Sequence, residues 1–323
     1  MSKKIQLALI AGGKSGEREV SLAGAKGIMQ ALDLQKYDVF QYDPATDLAK
    51  LAAEAEKLDV AFILLHGLLG EDGTMQGMLD LLGLPYQGSG VLGSGMAMDK
   101  DIAKKMYQEA GLPVAAYHMA RPEDIDTPQN ISQKLGFPLV VKPIRQGSSL
   151  GMSLVHTDED LSGGIKLAFT YDTEVMVEQF IKGREITVGV LGNDDVVPLP
   201  LVEIIPGEDF SFFDYTAKYT PGATTEVCPA KVPKAVWQQA QEYGVRAHQA
   251  LKLRGYSRTD MIFNKAGELF VIETNTIPGM TPTSLLPQAA KEHGLDFAAL
   301  LDRLIELAVE DGNRQTQIPL GVK

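Results

Sequence analysis

Arginine, two acids and an asparagine stand at alternate positions in two neighbouring runs. These are Arg258-Thr259-Asp260-Met261-Ile262-Phe263 and, beyond Asn264-Lys265-Ala266-Gly267, Glu268-Leu269-Phe270-Val271-Ile272-Glu273-Thr274-Asn275. Alternation is the period of a β-strand, and the polar tetrapeptide between the runs marks a hairpin turn. A loop that sets Phe263 opposite Glu268 pairs Arg258 with Glu273 and Asp260 with Val271. Arg258, Asp260, Glu273 and Asn275 then share one face, and Met261, Phe263, Phe270 and Ile272 form an apolar face. Hard oxygen donors in that grouping suit Mg²⁺, which takes one or two carboxylates with phosphate oxygens and water. The ion, or Arg258, removes the repulsion between two neighbouring carboxylates. A plainer alternative is a surface hairpin with scattered ion pairs worth about 0–1 kcal/mol each. It leaves the matched spacing of the two strands unexplained.

A second cluster follows the strand pattern Val140-Val141-Lys142-Pro143. In Gln146-Gly147-Ser148-Ser149-Leu150-Gly151, glycines allow backbone N–H groups to approach phosphate oxygens, two serines add donors, and Lys142 adds positive charge. An ordinary hairpin loop with a solvated lysine fits the same residues. The segment is neither a G-x-x-x-x-G-K-[ST] phosphate loop nor a G-x-G-x-x-G dinucleotide loop. Two further candidates, Glu17 and His66, lie just past apolar strand patterns.

The elements that must position these residues come in two styles. Ile5–Ile10, Tyr37–Tyr42 and Val60–Leu65 read as strands, alternating with helices over Leu22–Leu32 (capped by Ser21), Leu48–Leu58 and Met75–Leu82. That alternation implies a doubly wound parallel sheet, with ligands beyond the carboxyl ends of the strands. Asp99 caps a helix over Lys100–Ala110, stopped by Gly111 and Pro113. Thereafter strands dominate: Val114–Met119, Pro138–Pro143, Ser153–His156, Glu174–Ile181, Glu185–Leu191 and Val196–Ile205. Helices are expected near Ile131–Leu135 and Leu161–Phe169. Pro206–Pro229 has no clear period and reads as a functional loop. A helix over Lys234–Leu253, a hairpin over Ser257–Asn275 and helices over Pro282–Glu292 and Phe297–Glu310 complete the chain.

Composition narrows the classes of partner. The 323 residues are 45% hydrophobic and 22% charged, which suits folded domains with real cores. Thirty basic against forty-two acidic side chains leave a net charge of −12. With no local basic patch, nucleic-acid and membrane-surface binding are not expected. The single cysteine excludes a disulfide scaffold and a multi-thiolate zinc site. The short apolar stretch before Gly12-Gly13 is too brief for a signal peptide or a span, so a cytoplasmic protein is expected.

Six motifs, in order along nearly the whole chain, carry a family resemblance. They are Gly-Gly-Lys-Ser-Gly-Glu-Arg-Glu-Val-Ser (12–21), Leu-His-Gly-Leu-Leu-Gly-Glu-Asp-Gly (65–73), Met-Asp-Lys (98–100), Lys142-Pro143 with Gly-Ser-Ser-Leu-Gly (147–151), Asp-Tyr-Thr-Ala-Lys-Tyr (214–219) and Glu-Thr-Asn-Thr-Ile-Pro-Gly-Met-Thr (273–281). Together they resemble the D-alanine–D-alanine ligases of the ATP-grasp superfamily. The resemblance implies an α/β amino-terminal domain (1–99) and a two-part ATP-grasp module gripping the nucleotide between its parts. Those parts are a small domain (100–184) and a carboxyl-terminal domain (185–323) with a mobile loop at 206–229.

The resemblance implies that one D-alanine takes the γ-phosphoryl group of ATP, and the amine of a second attacks the acyl phosphate. Asp260, Glu273 and Asn275 would hold two Mg²⁺ or Mn²⁺ ions. Arg258 and the Gly279 amide would face the oxyanion. Lys100, Lys142 and Lys218 would bind phosphates, with Ser148 and Ser149 in the glycine-rich loop. Glu178, Gln179 and Ile181 would border the adenine, and Glu185 the ribose. Glu17 would hold the first ammonium near His66, in a hydrogen-bonded set with Ser148 and Tyr219. Ser284 and Leu285 would receive the second carboxylate at a helix start. A homodimer through the first domain and stimulation by K⁺ are also implied. Tyr219 favours an amine acceptor, which leaves a D-lactate or other D-amino-acid ligase as the alternative. A nucleotide sensor without turnover is the reading from another class, and it has no use for Arg258 as an oxyanion donor.

The sequence departs from the family pattern at Gln146, Gln179 and Thr259. Cys228 and Trp237 read as packing residues, and His118, His156, His248 and His293 show no metal spacing.

Overall fold

The computed structural model describes residues 3–207 and 224–315. The run IQLALIA forms β1 (Ile5–Ala11), flanked in parallel by β2 (Tyr37–Tyr42) and β3 (Val60–Leu64) in the order β2-β1-β3. Leu7 through Ile10 and Val60 through Leu64 are fully buried because both faces are covered. Leu7, Leu9, Phe62 and Leu64 pack with α1 (Arg18–Ala31) and the carboxyl-terminal helix, whereas Ala8, Ile10, Ala61 and Ile63 pack with α2 (Leu48–Glu54) and α3 (Thr74–Leu81). A continuous apolar strand needs such two-sided cover. Ser21 does not cap the first helix. It is buried one turn inside α1, where its hydroxyl accepts from the Gly12 amide at 2.8 Å and donates to the Leu64 carbonyl. Serine here satisfies two strand ends rather than its own helix.

A helix not anticipated, α4 (Val91–Met98), leads into α5 (Lys100–Glu109). Its two glycines lower helix propensity, but Gly93 lies so near the Leu251 and Lys252 carbonyls that a β-carbon would sit 3.1 Å from each. Asp99 caps α5 as expected, accepting from the amides of Asp101 and Ile102. The next sheet is antiparallel: β4 (Tyr117–Ala120), β5 (Leu139–Pro143), β6 (Ser153–Val155) and β7 (Val175–Gln179), ordered β4-β7-β5-β6. Leu139, Val141, Val175 and Val177 face α6 (Gln129–Leu135) and α7 (Asp158–Ala168). Val140, Lys142, Met176 and Glu178 share the opposite face, since Val140 pairs with Glu178 and Lys142 with Met176.

The third sheet runs β11-β10-β8-β12-β13, with β9 on β8. It comprises β8 (Gly183–Gly192), β9 (Val197–Pro198), β10 (Val202–Pro206), β11 (Thr224–Val227), β12 (Gly255–Asn264) and β13 (Leu269–Asn275). Val196–Ile205, expected as one strand, is split because Pro198 and Pro200 lack the N–H a ladder needs. The end of the expected loop forms β11, whose β-branched Thr224, Thr225 and Val227 suit an edge strand beside β10. Helix α8 (Lys234–Ala250) packs on this sheet, and α9 (Leu285–Glu292) and α10 (Phe297–Gln315) follow. Side chains of α9, α10, β1 and β3 form one core with Leu191, Leu199 and Tyr256, joining the first sheet to the third.

The hairpin register differs from the expected one. Arg258 stands opposite Asn275 and Asp260 opposite Glu273, while Met261 pairs with Val271 and Phe263 with Leu269, with a bulge between the two registers. The extra residue restores the grouping of Arg258, Asp260, Glu273 and Asn275 but changes the apolar partners. Met261, Leu269 and Val271 enter the core, whereas Phe270 and Ile272 remain half-buried outside it.

Candidate active site

The connections beyond β1, β3 and β5 meet the far half of the β12–β13 hairpin at a cleft of about 310 Å³. Of the sequence candidates, Glu17, His66, Lys100, Ser148, Arg258, Glu273, Asn275, Gly279, Ser284 and Leu285 line it. The first two lie past the strand ends of the parallel sheet, where its topology leads ligands. Ser148 donates a hydrogen bond to Glu17, joining residues 131 positions apart. Ser148 and Ser149 hold left-handed backbone angles (φ +52° and +57°), unusual for non-glycine residues and characteristic of constrained functional loops. Burial pushes the His66 imidazole below its ordinary pKa; Glu17 opposes this and Arg258 reinforces it.

Arg258 grips Asp260 with both branches of its guanidinium, Nε to Oδ1 at 2.8 Å and Nη2 to Oδ2 at 2.7 Å. Burial works against the Arg258 charge, but Asp260 outweighs it and the pKa rises. Thr187 donates to Asp260 Oδ1 at 2.6 Å and the Asn275 amide to Oδ2 at 3.1 Å. Glu273 lies 3.9 Å from Lys100 Nζ, which also donates to the carbonyls of Gln146 (2.8 Å) and Ile144 (3.3 Å). At the opposite wall, Ser284 precedes α9, and its hydroxyl accepts from the Thr281 amide at 3.1 Å. Thr259, the unusual residue beside Asp260, is fully buried and satisfied: Tyr107 donates to Thr274 at 2.8 Å, and Thr274 meets Thr259 at 3.0 Å.

Among the described residues, no three His, Cys, Asp or Glu side chains gather as a metal site. The donor set fits Mg²⁺ in another way. Two carboxylates and one amide share a face, an adequate protein contribution for an ion that completes its shell with phosphate and water.

Lys142, Glu178 and Asp260 do not line this cleft and are buried, at 3%, 4% and 5% exposure. Lys142 forms an ion pair with Glu178, and so does Lys104, at 2.8 Å. Burial pushes the Glu178 carboxyl up, yet these two cations hold it down at about 2. The Gln179 N–H donates to the Ala116 carbonyl (2.9 Å) and its side-chain amide to the Leu135 carbonyl (2.6 Å). Ile181 and Glu185 are half-buried at the neighbouring strand ends. Lys218 and Tyr219 lie outside the described residues.

Two residues with no sequence-assigned role stand out. Glu71 lines the cleft and accepts from the amides of Gly67 (2.8 Å) and Ile277 (3.4 Å). Burial, with Glu17 and Glu273 adding repulsion, pushes its carboxyl up to about 8 against the pull of those amides. Its place in a glycine-rich stretch past a parallel strand end was the available signal. Lys104 left none, being one polar residue within an amphipathic helix.

Three sheets meeting over one acid-and-arginine hairpin define an ATP-grasp ligase. The family profile "D-ala D-ala ligase C-terminus" matches residues 106–306, and "D-ala D-ala ligase N-terminus" matches 43–89. The chain belongs to the D-alanine–D-alanine ligase family. A D-alanine–D-alanine ligase of Desulfotalea psychrophila is 59% identical over 310 residues, covering 96% of each chain. The solved D-alanine–D-alanine ligase of Bacillus anthracis, complexed with ATP, superposes with a TM-score of 0.82 at 32% identity, covering 96% of this chain and 99% of that one. The VanG D-Ala:D-Ser ligase of Enterococcus faecalis gives 0.83 at 33% identity, covering 95% and 100%.

Proposed function

We propose that the chain joins two D-alanines at the expense of ATP, through an acyl phosphate, supplying D-alanyl-D-alanine for peptidoglycan precursors in the cytoplasm. One observation carries the reading: Glu17, Ser148 and Arg258, from three separate parts of the fold, converge on a single cleft. Attack of a carboxylate on a phosphate brings anions together, so positioning and neutralisation supply most of the catalysis. Glu17, held by Ser148, takes the ammonium of the first D-alanine beside a His66 kept neutral. Lys100 and Lys142 take phosphate oxygens, with Ser149 in the same loop and Lys218 as a further cation. Glu178, Gln179 and Ile181 border the adenine, and Glu185 the ribose.

Arg258, oriented by Asp260, and the Gly279 amide stabilise the oxyanion that develops when the second amine adds to the acyl carbon. Ser284 and Leu285, at the start of α9, receive the carboxylate of the second D-alanine, where the positive end of the helix favours an anion. Asp260, Glu273 and Asn275 are the residues to hold two Mg²⁺ or Mn²⁺ ions, which when bound neutralise the triphosphate charge. K⁺ stimulation and a homodimer built on the first domain belong to the same reading.

Tyr219 favours the amine acceptor over D-lactate. The test is mass identification of products after incubation with ATP, Mg²⁺ and equal D-alanine, D-serine and D-lactate. D-alanyl-D-alanine is expected to dominate; a dominant D-Ala–D-Ser or depsipeptide product overturns the acceptor assignment.

A further inference from the structure

Lys104 lies on the inner side of α5 at 1% exposure. Its ammonium is 2.8 Å from Glu178 Oε2 and 5.6 Å from the centroid of the Tyr117 ring, while Lys142 meets Oε1 of the same carboxylate. Two buried cations on one buried anion leave a positive excess in a place where water screens little. We propose that Lys104 is a positioning residue for nucleotide binding: it keeps Glu178 neutralised while Lys142 turns from that carboxylate to a nucleotide phosphate. The inference rests on the reading of Lys142 as a phosphate-binding lysine.

The reason is electrostatic. A lysine that leaves a buried carboxylate strands an uncompensated charge, and the cost of stranding is set against the phosphate contact it gains. With Lys104 on the other oxygen, the carboxylate keeps a partner throughout. Without Lys104, Glu178 and Lys142 become an exclusive pair, and every phosphate contact of Lys142 begins by breaking it. Tyr117 helps hold the Lys104 ammonium, its own hydroxyl being anchored on Asp101 at 3.0 Å. Met matches the length and apolar stem of Lys104 without its charge, so K104M isolates the electrostatic part.

In steady-state kinetics of the full-length enzyme, K104M is expected to raise KM for ATP about 10- to 100-fold. The kcat at saturating ATP and the KM values for D-alanine are expected to stay within about threefold. A K104M enzyme with unchanged KM for ATP overturns the proposal, and so does one whose kcat and KM for D-alanine shift as far as its KM for ATP, because a purely structural lysine would move all three together. Should K104M not fold, a Mg²⁺–ATP complex of the wild type decides. Lys104 still on Glu178 with Lys142 on a phosphate upholds the proposal; Lys142 still on Glu178 overturns it. Failure of the underlying function looks different, since the wild type itself would then form no dipeptide and no ADP.

Discussion

Glu71 shows how one side chain can carry an effect that its position in sequence only half announces. Its carboxyl is raised from the ordinary 4.5 to about 8, chiefly by burial. The folded state therefore holds a proton there that the unfolded chain has released, and the stability linked to that proton is full below pH 4.5 and lost as pH rises to about 8. E71Q carries no such proton. Relative to E71Q, the wild type is expected to lose melting temperature steadily between pH 5 and 8, as measured by calorimetry; parallel curves would refute the assignment. The acid–arginine–amide set was legible because a charged alternation on a strand has few cheaper explanations. Lys104 was not, since a lysine in an amphipathic helix is ordinarily solvated, and only the fold reveals that it points inward.

At the level of elements, apolar runs bounded by glycine located the parallel strands, and Asp99 with Gly111 framed α5. What escaped the sequence were features settled by packing. The β12–β13 bulge exchanges Leu269 and Val271 for the expected Phe270 and Ile272 in the core, and no local pattern marks where the extra residue falls. Helix α4 forms despite its glycines because they admit a neighbouring backbone. Close approach also governs α8, where a β-carbon on Gly244 would lie 2.0 Å from Val188 Cγ1. Alanine is the better helix former by about 1 kcal/mol. Even so, G244A is expected to lower stability by about 1–3 kcal/mol in urea titration, because overpacking outweighs propensity. A stabilised G244A would show that the contact yields easily.

Across the whole molecule, a single chain of net charge −12 concentrates Lys100, Lys104, Lys142 and Arg258 around one cleft and the strands beneath it. Among the described residues no helix is long and apolar enough to cross a membrane. The shared core of the first and third sheets holds the Glu17 and His66 side of the cleft fixed relative to the hairpin, while α5 links the second sheet to that hairpin through Tyr107 and Thr274. Mg²⁺ and ATP together are expected to raise the melting temperature by several degrees, since ligand at 100 times its Kd adds about 2.7 kcal/mol to the folded state. A chelator is expected to abolish most of that shift; an unchanged shift would separate nucleotide binding from the acid set. The most direct test of the whole account is ADP formation by E273Q in Mg²⁺, ATP and D-alanine. The loss of one hard oxygen donor is expected to leave on the order of 1% of wild-type turnover in a protein that melts normally, whereas full turnover would contradict the role given to the hairpin.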